Sequence, residues 1–396
     1  MTTDKTACLE HCIKCSICHT QCPVAARVQS FPGPRQLGPE LERARLAEKS
    51  LPDEIEQYLG FCINCRRCDT SCPHGVKPSV INIRNKGKKQ HMNLARLRDW
   101  VLAHNVWWGS MGSMVPGPFN AMLRLAPAKF FMGMLGIAPR DFPRYTHSTL
   151  KTESLNREKK ALIFPGCYGS FNEPLILQSA IDLLEACSYQ VEIARTGCCG
   201  IPMLTNTFTA ESRATAEKNA ALLLGKVAQG FTVITTCSSC GLALKEEYGE
   251  LLEEKRHLEL ARHVKDLFQV LADEELSFSS SKERVPIAYY HVSCHLKAQG
   301  IGTPAAALLR RAAVRELIVE DSYCCGIAGT FGFKKERFAM ALDIGTPLFN
   351  AIKRSGAGLV ITDCGTCTLQ IADGTGITVK HPAVVLRDYL SGGPES

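Results

Sequence analysis

The chain carries Cys12-Ile-Lys-Cys15-Ser-Ile-Cys18-His-Thr-Gln-Cys22-Pro23 near its N-terminus, and the same spacing returns in Cys62-x2-Cys65-x2-Cys68-x3-Cys72-Pro73. Thiolates are soft ligands that select zinc or iron–sulfur clusters. A zinc site needs only two pairs of cysteines and gives no reason for a repeated run of four. The repeated run therefore predicts two iron–sulfur clusters and a protein that transfers electrons.

The two runs resemble those of bacterial ferredoxins, in which three cysteines of a run bind one [4Fe–4S] cluster and the fourth binds the other cluster. The implied ligands of the first cluster are Cys12, Cys15, Cys18 and Cys72, and those of the second are Cys62, Cys65, Cys68 and Cys22. Between the runs, the charged and Ala/Leu-rich stretch 40–49 predicts a helix. Residues 1–99 are therefore predicted to be a mainly helical two-cluster ferredoxin-type domain.

Length and composition indicate a multidomain protein, with 20 cysteines among 396 residues. Their spacing indicates metal ligation rather than a disulfide scaffold, and the polar N-terminus shows no secretory signal, so we expect a reducing cytoplasmic compartment. The net charge of +7 is concentrated in residues 1–160, which contain 24 Lys and Arg against 13 Asp and Glu. This basic region fits an anionic lipid surface, whereas no aromatic-interleaved motif for nucleic acid accompanies it.

Residues 100–159 are predicted to be an apolar and basic connecting segment that contacts a membrane or a partner. Its first part, 100–137, holds five of the nine methionines and all three tryptophans, Trp100, Trp107 and Trp108. Prolines, glycines and charges interrupt this part, so no membrane-spanning helix is predicted. Tryptophans beside a basic run are typical of an interfacial anchor, and the three tryptophans are the predicted membrane contacts. Ordinary core helices and a docking surface for a partner subunit are the alternatives.

The rest of the chain is an internal repeat, predicted to form two domains over residues 160–276 and 286–392. Each copy has a cysteine after a β-branched run, a vicinal Cys-Cys-Gly and a Cys-x2-Cys, and corresponding cysteines are 126 or 127 residues apart. Helical stretches such as 211–224 and 336–352 alternate with the β-branched runs, which predicts α/β domains with cysteines at strand ends. The predicted fold class is therefore α+β multidomain, a helical ferredoxin module followed by two repeated α/β domains.

The cysteines of the repeats are candidate ligands of further clusters. They are Cys167, Cys198, Cys199, Cys237 and Cys240 in the first copy and Cys294, Cys324, Cys325, Cys364 and Cys367 in the second. Adjacent side chains diverge, so a vicinal pair suits a multi-iron cluster, in which neighbouring thiolates bind different irons, better than one tetrahedral ion. The glycines after each pair permit unusual backbone angles. Buried free cysteines or a zinc site at each Cys-x2-Cys are the alternatives.

The repeated pattern resembles the cysteine-rich CCG domain of heterodisulfide reductases and related respiratory subunits. Several stretches are most similar to the iron–sulfur subunits of anaerobic glycerol-3-phosphate dehydrogenases, and the similarity covers essentially the whole chain. They are Cys12-Ile-Lys-Cys-Ser-Ile-Cys, Phe31-Pro-Gly-Pro-Arg-Gln, Asp99-Trp-Val-Leu-Ala-His and Cys324-Cys-Gly-Ile-Ala-Gly-Thr-Phe-Gly-Phe. In the heterodisulfide reductase relatives, complete CCG motifs hold noncubane clusters, which implies the same capacity here.

The resemblance implies a non-catalytic electron-transfer subunit of an oxidoreductase complex. Electrons would come from the flavin of partner subunits, pass through the two [4Fe–4S] clusters and end at a membrane quinone of the menaquinone type. It also implies a peripheral position on the cytoplasmic face of the inner membrane, in anaerobic respiration on glycerol phosphate.

No flavin or NAD site is predicted in this chain, because no G-x-G-x-x-G follows a predicted strand. Partner subunits must therefore supply the electrons, and neither catalytic residues nor a nucleic-acid partner are predicted. Two other functions share the cysteine motifs. One is the iron–sulfur subunit of a glycolate or lactate oxidase, and the other is an enzyme resembling heterodisulfide reductase.

Overall fold

The fold was obtained from a computed structural model, which describes residues 7–48, 55, 57–86, 93–153, 156–279 and 282–391. A helical N-terminal module and a helical connecting segment precede two parallel four-stranded sheets with helices around them. The predicted fold class is confirmed.

The N-terminal module consists of short helices around the two cysteine runs. Its helices are α1 (Ala7–Glu10), α2 (Ile17–Thr20), α3 (Leu41–Leu46), α4 (Arg67–Thr70) and α5 (Pro78–Lys86), with a π-helical turn over Gln36–Glu40 and a 3-10 helix over Gln57–Phe61. The helix predicted over 40–49 thus forms as the π-helical turn and α3, while residues 49 and 50 lie outside the described part of the chain.

Four consecutive helices form the connecting segment. They are α6 (Leu94–Ala103), α7 (Asn105–Met114), α8 (Pro116–Arg124) and α9 (Ala126–Met134). Pro116 is the first residue of α8, and Pro127 lies in the first turn of α9. Proline is favoured there because the first turn of a helix has no partner for its N–H groups. The prolines that argue against one long helix therefore begin two short ones, and no described helix has the length and apolar character needed to cross a bilayer.

Each repeat builds one parallel sheet. The first sheet has the order β2-β1-β3-β4, with β1 (Lys159–Phe164), β2 (Tyr189–Ile193), β3 (Thr232–Thr235) and β4 (Val264–Asp266). The second has the order β6-β5-β7-β8, with β5 (Val285–His291), β6 (Val314–Glu320), β7 (Leu359–Ile361) and β8 (Val379–Lys380).

Helices connect the strands on both faces of the sheets. In the first repeat they are α10 (Gly166–Phe171), α11 (Pro174–Ala186), α12 (Ile201–Thr205), α13 (Thr209–Val227), α14 (Ser238–Lys245), α15 (Glu254–Arg262) and α16 (Leu267–Leu271), with a 3-10 helix over Glu247–Glu250. In the second they are α17 (Cys294–Ala298), α18 (Pro304–Ala312), α19 (Lys335–Arg354), α20 (Gly365–Thr375) and α21 (Pro382–Arg387), with a 3-10 helix over Phe331–Phe333. The helical stretches expected near 211–224 and 336–352 correspond to α13 and α19.

The two sheets have the same strand register. Ala161 of β1 pairs with Thr232 of β3, and the residues 127 positions later, Ala288 and Leu359, pair in the second sheet. The sequence offset between the repeats is therefore also a structural equivalence. A single hydrophobic core, which includes Leu184 of α11 and Leu386 of α21, joins the two repeats.

The N-terminal module contacts the two repeats by different means. Its apolar core, with Leu37 and Leu41, continues into Phe331 and Ile344 of the second repeat. Toward the first repeat it presents cations to acidic residues of one short segment. The ion pairs are Arg66–Glu247 at 2.5 Å, Arg84–Glu250 at 2.7 Å and Lys77–Glu246 at 2.7 Å. Of these, only the Arg66–Glu247 pair is almost completely buried.

Candidate iron–sulfur site

The structure brings together cysteines from both N-terminal runs. Cys12, Cys15, Cys18 and Cys72 line one small cavity, and Cys22, Cys62, Cys65 and Cys68 line another. Burial and the neighbouring Cys12, Cys15 and Cys72 raise the pKa of the Cys18 thiol, and burial raises the pKa of Cys22 to about 12. Each group of four therefore contains one cysteine from the other run, in the combination that the ferredoxin resemblance implies.

The backbone of the two ligand loops is shaped in the same way. Lys14 and Ser16 have φ of 63° and 66°, and Asn64 and Arg66, 50 positions later, have φ of 50° and 62°. For residues with a Cβ atom this left-handed conformation costs about 1–2 kcal/mol each. Such strain persists where other interactions compensate for it. Binding of a metal cluster by four convergent thiolates would supply that compensating free energy.

The cysteines of the repeats lie at the carboxyl ends of the parallel strands. Cys167 follows β1 and Cys237 follows β3, the two neighbouring central strands of the first sheet. Cys294 and Cys364 follow β5 and β7 in the same way. Loops at this edge of an open parallel sheet converge at the point where the strand order reverses, which is where such folds bind their ligands.

The two vicinal cysteines of each repeat contact different cysteines. Cys198 lies within hydrogen-bond reach of Cys167, whereas hydrogen bonds from Cys198 and Cys240 lower the pKa of Cys199 to about 6. In the second repeat Cys324 lies beside Cys294, and the Sγ atoms of Cys325 and Cys367 are 3.2 Å apart. Each pair therefore joins the cysteine of the first strand to the Cys-x2-Cys of the third. This arrangement suits a cluster with several irons, because adjacent thiolates then bind different metal atoms.

A glycine follows each vicinal pair, and in the second repeat no other residue fits there. Gly200 has φ of 88° and Gly326 has φ of 87°, both in the left-handed region. A Cβ atom on Gly326 would lie 2.0 Å from the carbonyl oxygen of Ala341, so no side chain fits there. The backbone N–H groups of these glycines donate to Cys198 Sγ at 3.3 Å and to Cys324 Sγ at 3.4 Å. Such bonds stabilise a thiolate.

All ten cysteines of the repeats line one cavity of about 470 Å³, which we call the central cavity. Cys65 of the N-terminal module also lines this cavity. Burial raises the pKa of the Cys65 thiol, and the nearby Cys324 raises it further. Cys22 also adjoins Cys324. The second N-terminal group of cysteines is thus continuous with the second repeat.

His295 holds three parts of the molecule together beside these cysteines. Its Nε2 lies 2.9 Å from the carbonyl oxygen of Asn64 in the N-terminal module, and its Nδ1 lies 2.8 Å from Ser239 Oγ in the first repeat. The neighbouring His291 lies within 4.8 Å of the Sγ atoms of Cys325 and Cys367.

Asn105, a residue that the sequence does not single out, donates a hydrogen bond to Cys167 Sγ at 3.2 Å. It belongs to α7, 62 positions before that cysteine, and no local spacing connects the two.

The three tryptophans of the connecting segment occupy different environments. Trp107 is 68% exposed, whereas Trp100 is 36% exposed and stacks on His104. Trp108 lines the central cavity, and its buried Nε1 has no hydrogen-bond partner among the described residues. Trp107 is therefore the tryptophan best placed to touch something outside the molecule.

The cysteine groups fit iron–sulfur clusters by their donor chemistry. Every group consists of cysteines, lines one space and either receives backbone N–H donors or carries left-handed loop residues. When bound, such clusters supply one-electron transfer over a wide range of potentials.

Two families match the chain. A 4Fe-4S dicluster domain matches residues 8–76, and a cysteine-rich domain matches residues 161–245 and again residues 288–372. Iron–sulfur clusters are therefore cofactors of this protein.

Three relatives of known complexes cover most of the chain. One subunit of the anaerobic glycerol-3-phosphate dehydrogenase of Escherichia coli is 35% identical over 96% of this chain and 98% of its own length. The glycolate oxidase iron-sulfur subunit of the same organism is 24% identical over 96% of this chain and 94% of its own length. A subunit of the fumarate reductase (CoM/CoB) of Methanothermobacter marburgensis is 23% identical over 92% of this chain and 68% of its own length.

The identity to the first of these relatives is spread over nearly the whole of both chains, and the domain order is the one that the cysteine motifs predict. The chain therefore belongs to the family of iron–sulfur electron-transfer subunits that includes this subunit of the anaerobic glycerol-3-phosphate dehydrogenase.

Proposed function

We propose that this chain carries electrons from flavin-containing partner subunits of an anaerobic sn-glycerol-3-phosphate dehydrogenase to a membrane quinone of the menaquinone type. The observation that supports this most directly is the continuity of the cysteine groups, because Cys65 lies beside Cys324 at the edge of the central cavity. The relative with 35% identity suggests the donor substrate.

Electrons enter, in this proposal, at the first N-terminal group of cysteines. Cys15 is exposed, whereas Cys65 and Cys68 of the second group are buried. Ile13 and Ile17 flank Cys15 and are 63% and 41% exposed. Exposed apolar side chains beside a redox centre suit the docking of a partner subunit that brings its own redox group close.

The connecting segment is proposed to hold the protein on the cytoplasmic face of the inner membrane, as a peripheral subunit. Half of the exposed large apolar residues in the described chain lie between 107 and 134. They are Trp107, Met111, Met114, Val115, Met122, Leu125, Phe130, Phe131 and Met134, which we call the apolar face. The sequence from residue 100 to 140 contains Arg124, Lys129 and Arg140 but no acidic residue. Short helices with apolar and cationic side chains bind anionic lipid surfaces.

The donor substrate is tested on the complex purified without air together with its flavin subunits. Electron paramagnetic resonance spectra are recorded after addition of sn-glycerol 3-phosphate, glycolate or lactate. We expect cluster signals only with glycerol phosphate. Reduction by glycolate or lactate instead would assign the chain to the other branch of its relatives.

The ligand assignment is tested by Cys65→Ser, with Cys187→Ser as the matched control. Cys187 is also buried but belongs to none of the predicted ligand groups. We expect Cys65→Ser to remove about four irons per chain and one cubane signal, and Cys187→Ser to remove none. Equal iron in both variants would show that Cys65 is not a ligand.

The membrane contact is tested with Trp107→Ser, and Leu258→Ser serves as the control. Leu258 is 45% exposed and belongs to the first repeat, far along the chain from the apolar face. We expect Trp107→Ser to weaken binding to anionic lipid vesicles about tenfold, because it removes a large apolar side chain from the contact, and Leu258→Ser to leave binding unchanged. If both variants bind the vesicles as tightly as the unaltered protein, the apolar face does not contact lipid and instead contacts protein.

A further inference from the structure

The central cavity has a volume typical of a small-molecule site. Its volume of about 470 Å³ lies within the range of roughly 300–1,000 Å³ that is usual for ligand sites. It is bounded by three parts of the chain: the cysteine loops of both repeats, the loop around Asn64 and the connecting segment. The connecting segment has no cysteines, so its share of the wall is available to another ligand.

The wall contributed by the connecting segment is apolar and aromatic. Its members include Asn105, Trp108, Phe119, Leu123, Phe131 and Tyr145. Aromatic side chains stack readily on a planar ring, and Trp108 Nε1 and Asn105 Oδ1 are a donor and an acceptor without partners among the described residues.

The charge of the cavity restricts its ligand. Among the described residues that line it there is no Lys, Arg, Asp or Glu. A substrate with carboxylate, sulfonate or phosphate groups would lose its hydration there without gaining a counter-charge, which is costly. The wall therefore disfavours glycolate, lactate and an acidic disulfide, and it favours an uncharged, lipophilic ring.

The cavity reaches the surface at the apolar face. Phe131 lines the cavity and is nevertheless 67% exposed, so this ring lies at the opening. Trp108 lines the cavity while the adjacent Trp107 belongs to the apolar face. Helices α7 to α9 thus separate the cavity from the surface that is proposed to lie on lipid. A molecule dissolved in the bilayer would meet the opening without crossing water.

We propose that the central cavity is the quinone-binding site, which the ring enters from the lipid between α7, α8 and α9. This inference rests on the proposed function for the identity of the ligand class, but the site itself is defined by the cavity. The ring binds against the aromatic wall, and its isoprenoid tail leaves past Phe131 along the apolar face. The cysteine loops of both repeats then lie across the same cavity from the ring.

The site is tested by photolabelling and by a matched pair of variants. Leu123 lines the cavity, whereas Leu258 of the first repeat is 45% exposed, does not line it and lies outside the apolar face. Both are replaced by tryptophan, which adds volume without charge. The complete complex in detergent is titrated with a photoreactive naphthoquinone, and the labelled peptides are identified by mass spectrometry. We expect label within residues 101–145 of the unaltered protein, binding about tenfold weaker in Leu123→Trp, and unchanged binding in Leu258→Trp.

Iron content and the spectrum of the dithionite-reduced clusters are measured on the same samples, and unchanged values show that the variants are folded. Label outside the cavity in the unaltered protein, or equal binding by Leu123→Trp and Leu258→Trp, overturns the proposal. The proposed function fails separately. If the quinone binds in the cavity but sn-glycerol 3-phosphate does not reduce the clusters, the site stands and the donor is wrong.

Discussion

The two repeats have the same strands, register and cysteine order, yet they face different neighbours. Cys324 of the second repeat lies beside Cys65 and Cys22 of the N-terminal module, whereas Cys167 of the first repeat receives a hydrogen bond from Asn105 of the connecting segment. The cysteines of the two copies therefore differ in what surrounds them, although the copies have the same fold. Both repeats contact the N-terminal module and the connecting segment, but their cysteines do not: Cys324 adjoins the N-terminal cysteines, and Cys167 adjoins the connecting segment.

The largest expected difference between the repeats concerns the glycine after the vicinal pair. A Cβ atom on Gly326 would meet the backbone at 2.0 Å, at Ala341, whereas the nearest atom at Gly200 is Ser212 Oγ at 3.2 Å. We expect Gly326→Ala to lower the free energy of unfolding by more than about 4 kcal/mol, and Gly200→Ala by about 1–2 kcal/mol from the left-handed conformation alone. Anaerobic denaturant unfolding of both variants measures the difference. Equal losses in the free energy of unfolding would show that the close contact between Gly326 and Ala341 does not distinguish the two loops.

A second difference lies in how the N-terminal module is attached. Toward the second repeat the contact is mainly apolar, with an exposed ion pair and one partly buried hydrogen bond from His295. Toward the first repeat it depends on ion pairs, of which Arg66–Glu247 is buried and Lys77–Glu246 is exposed. We expect Arg66→Met to cost about 3–4 kcal/mol, because it leaves Glu247 buried without its cation. Lys77→Met should cost less than about 1 kcal/mol. The same denaturant experiment compares them, and a small loss for Arg66→Met would show that the module is held mainly by the second repeat.

The smallest expected effect is a pH dependence of opposite sign in the two repeats. A residue at the end of the fourth strand caps the following helix in both copies: Asp266 is the last residue of β4, and His381 directly follows β8. Burial raises the pKa of Asp266 to about 6 and lowers the pKa of His381 to about 4. His381 therefore contributes stability that is lost as pH falls from about 6.5 to 4, whereas the contribution of Asp266 is lost as pH rises from about 4 to 6.

Substitution of each cap should separate the two contributions. We expect His381→Asn to reduce the loss of stability on acidification between pH 6.5 and 4 by about 1–3 kcal/mol, and Asp266→Asn to make that loss steeper. Melting temperatures measured across this pH range test both signs. The same slope in both variants would mean that neither buried group governs the acid response.

Much of the fold followed from local pattern. The constant offset between the copies predicted two equal α/β domains, and the β-branched runs before Cys167 and Cys294 predicted strands that end at cysteines. The start of the helix over 40–49 was placed less well, because a π-helical turn over Gln36–Glu40, with Pro39 inside it, precedes α3, and periodicity does not reveal this turn. Asn105 carried no signal, since its contact with Cys167 depends on the packing of α7 against the first repeat.

The sequence by itself determined which residues can bind metal and how many units the chain contains, because ligand spacing and internal repetition are local or periodic properties. Only the tertiary structure decided that ten cysteines from two repeats share one cavity, that Cys65 adjoins Cys324, and that Trp108 lines this cavity while Trp107 is exposed. These relations arise where distant parts of the chain pack together. Packing depends on the shape of whole surfaces, which no single stretch of sequence encodes.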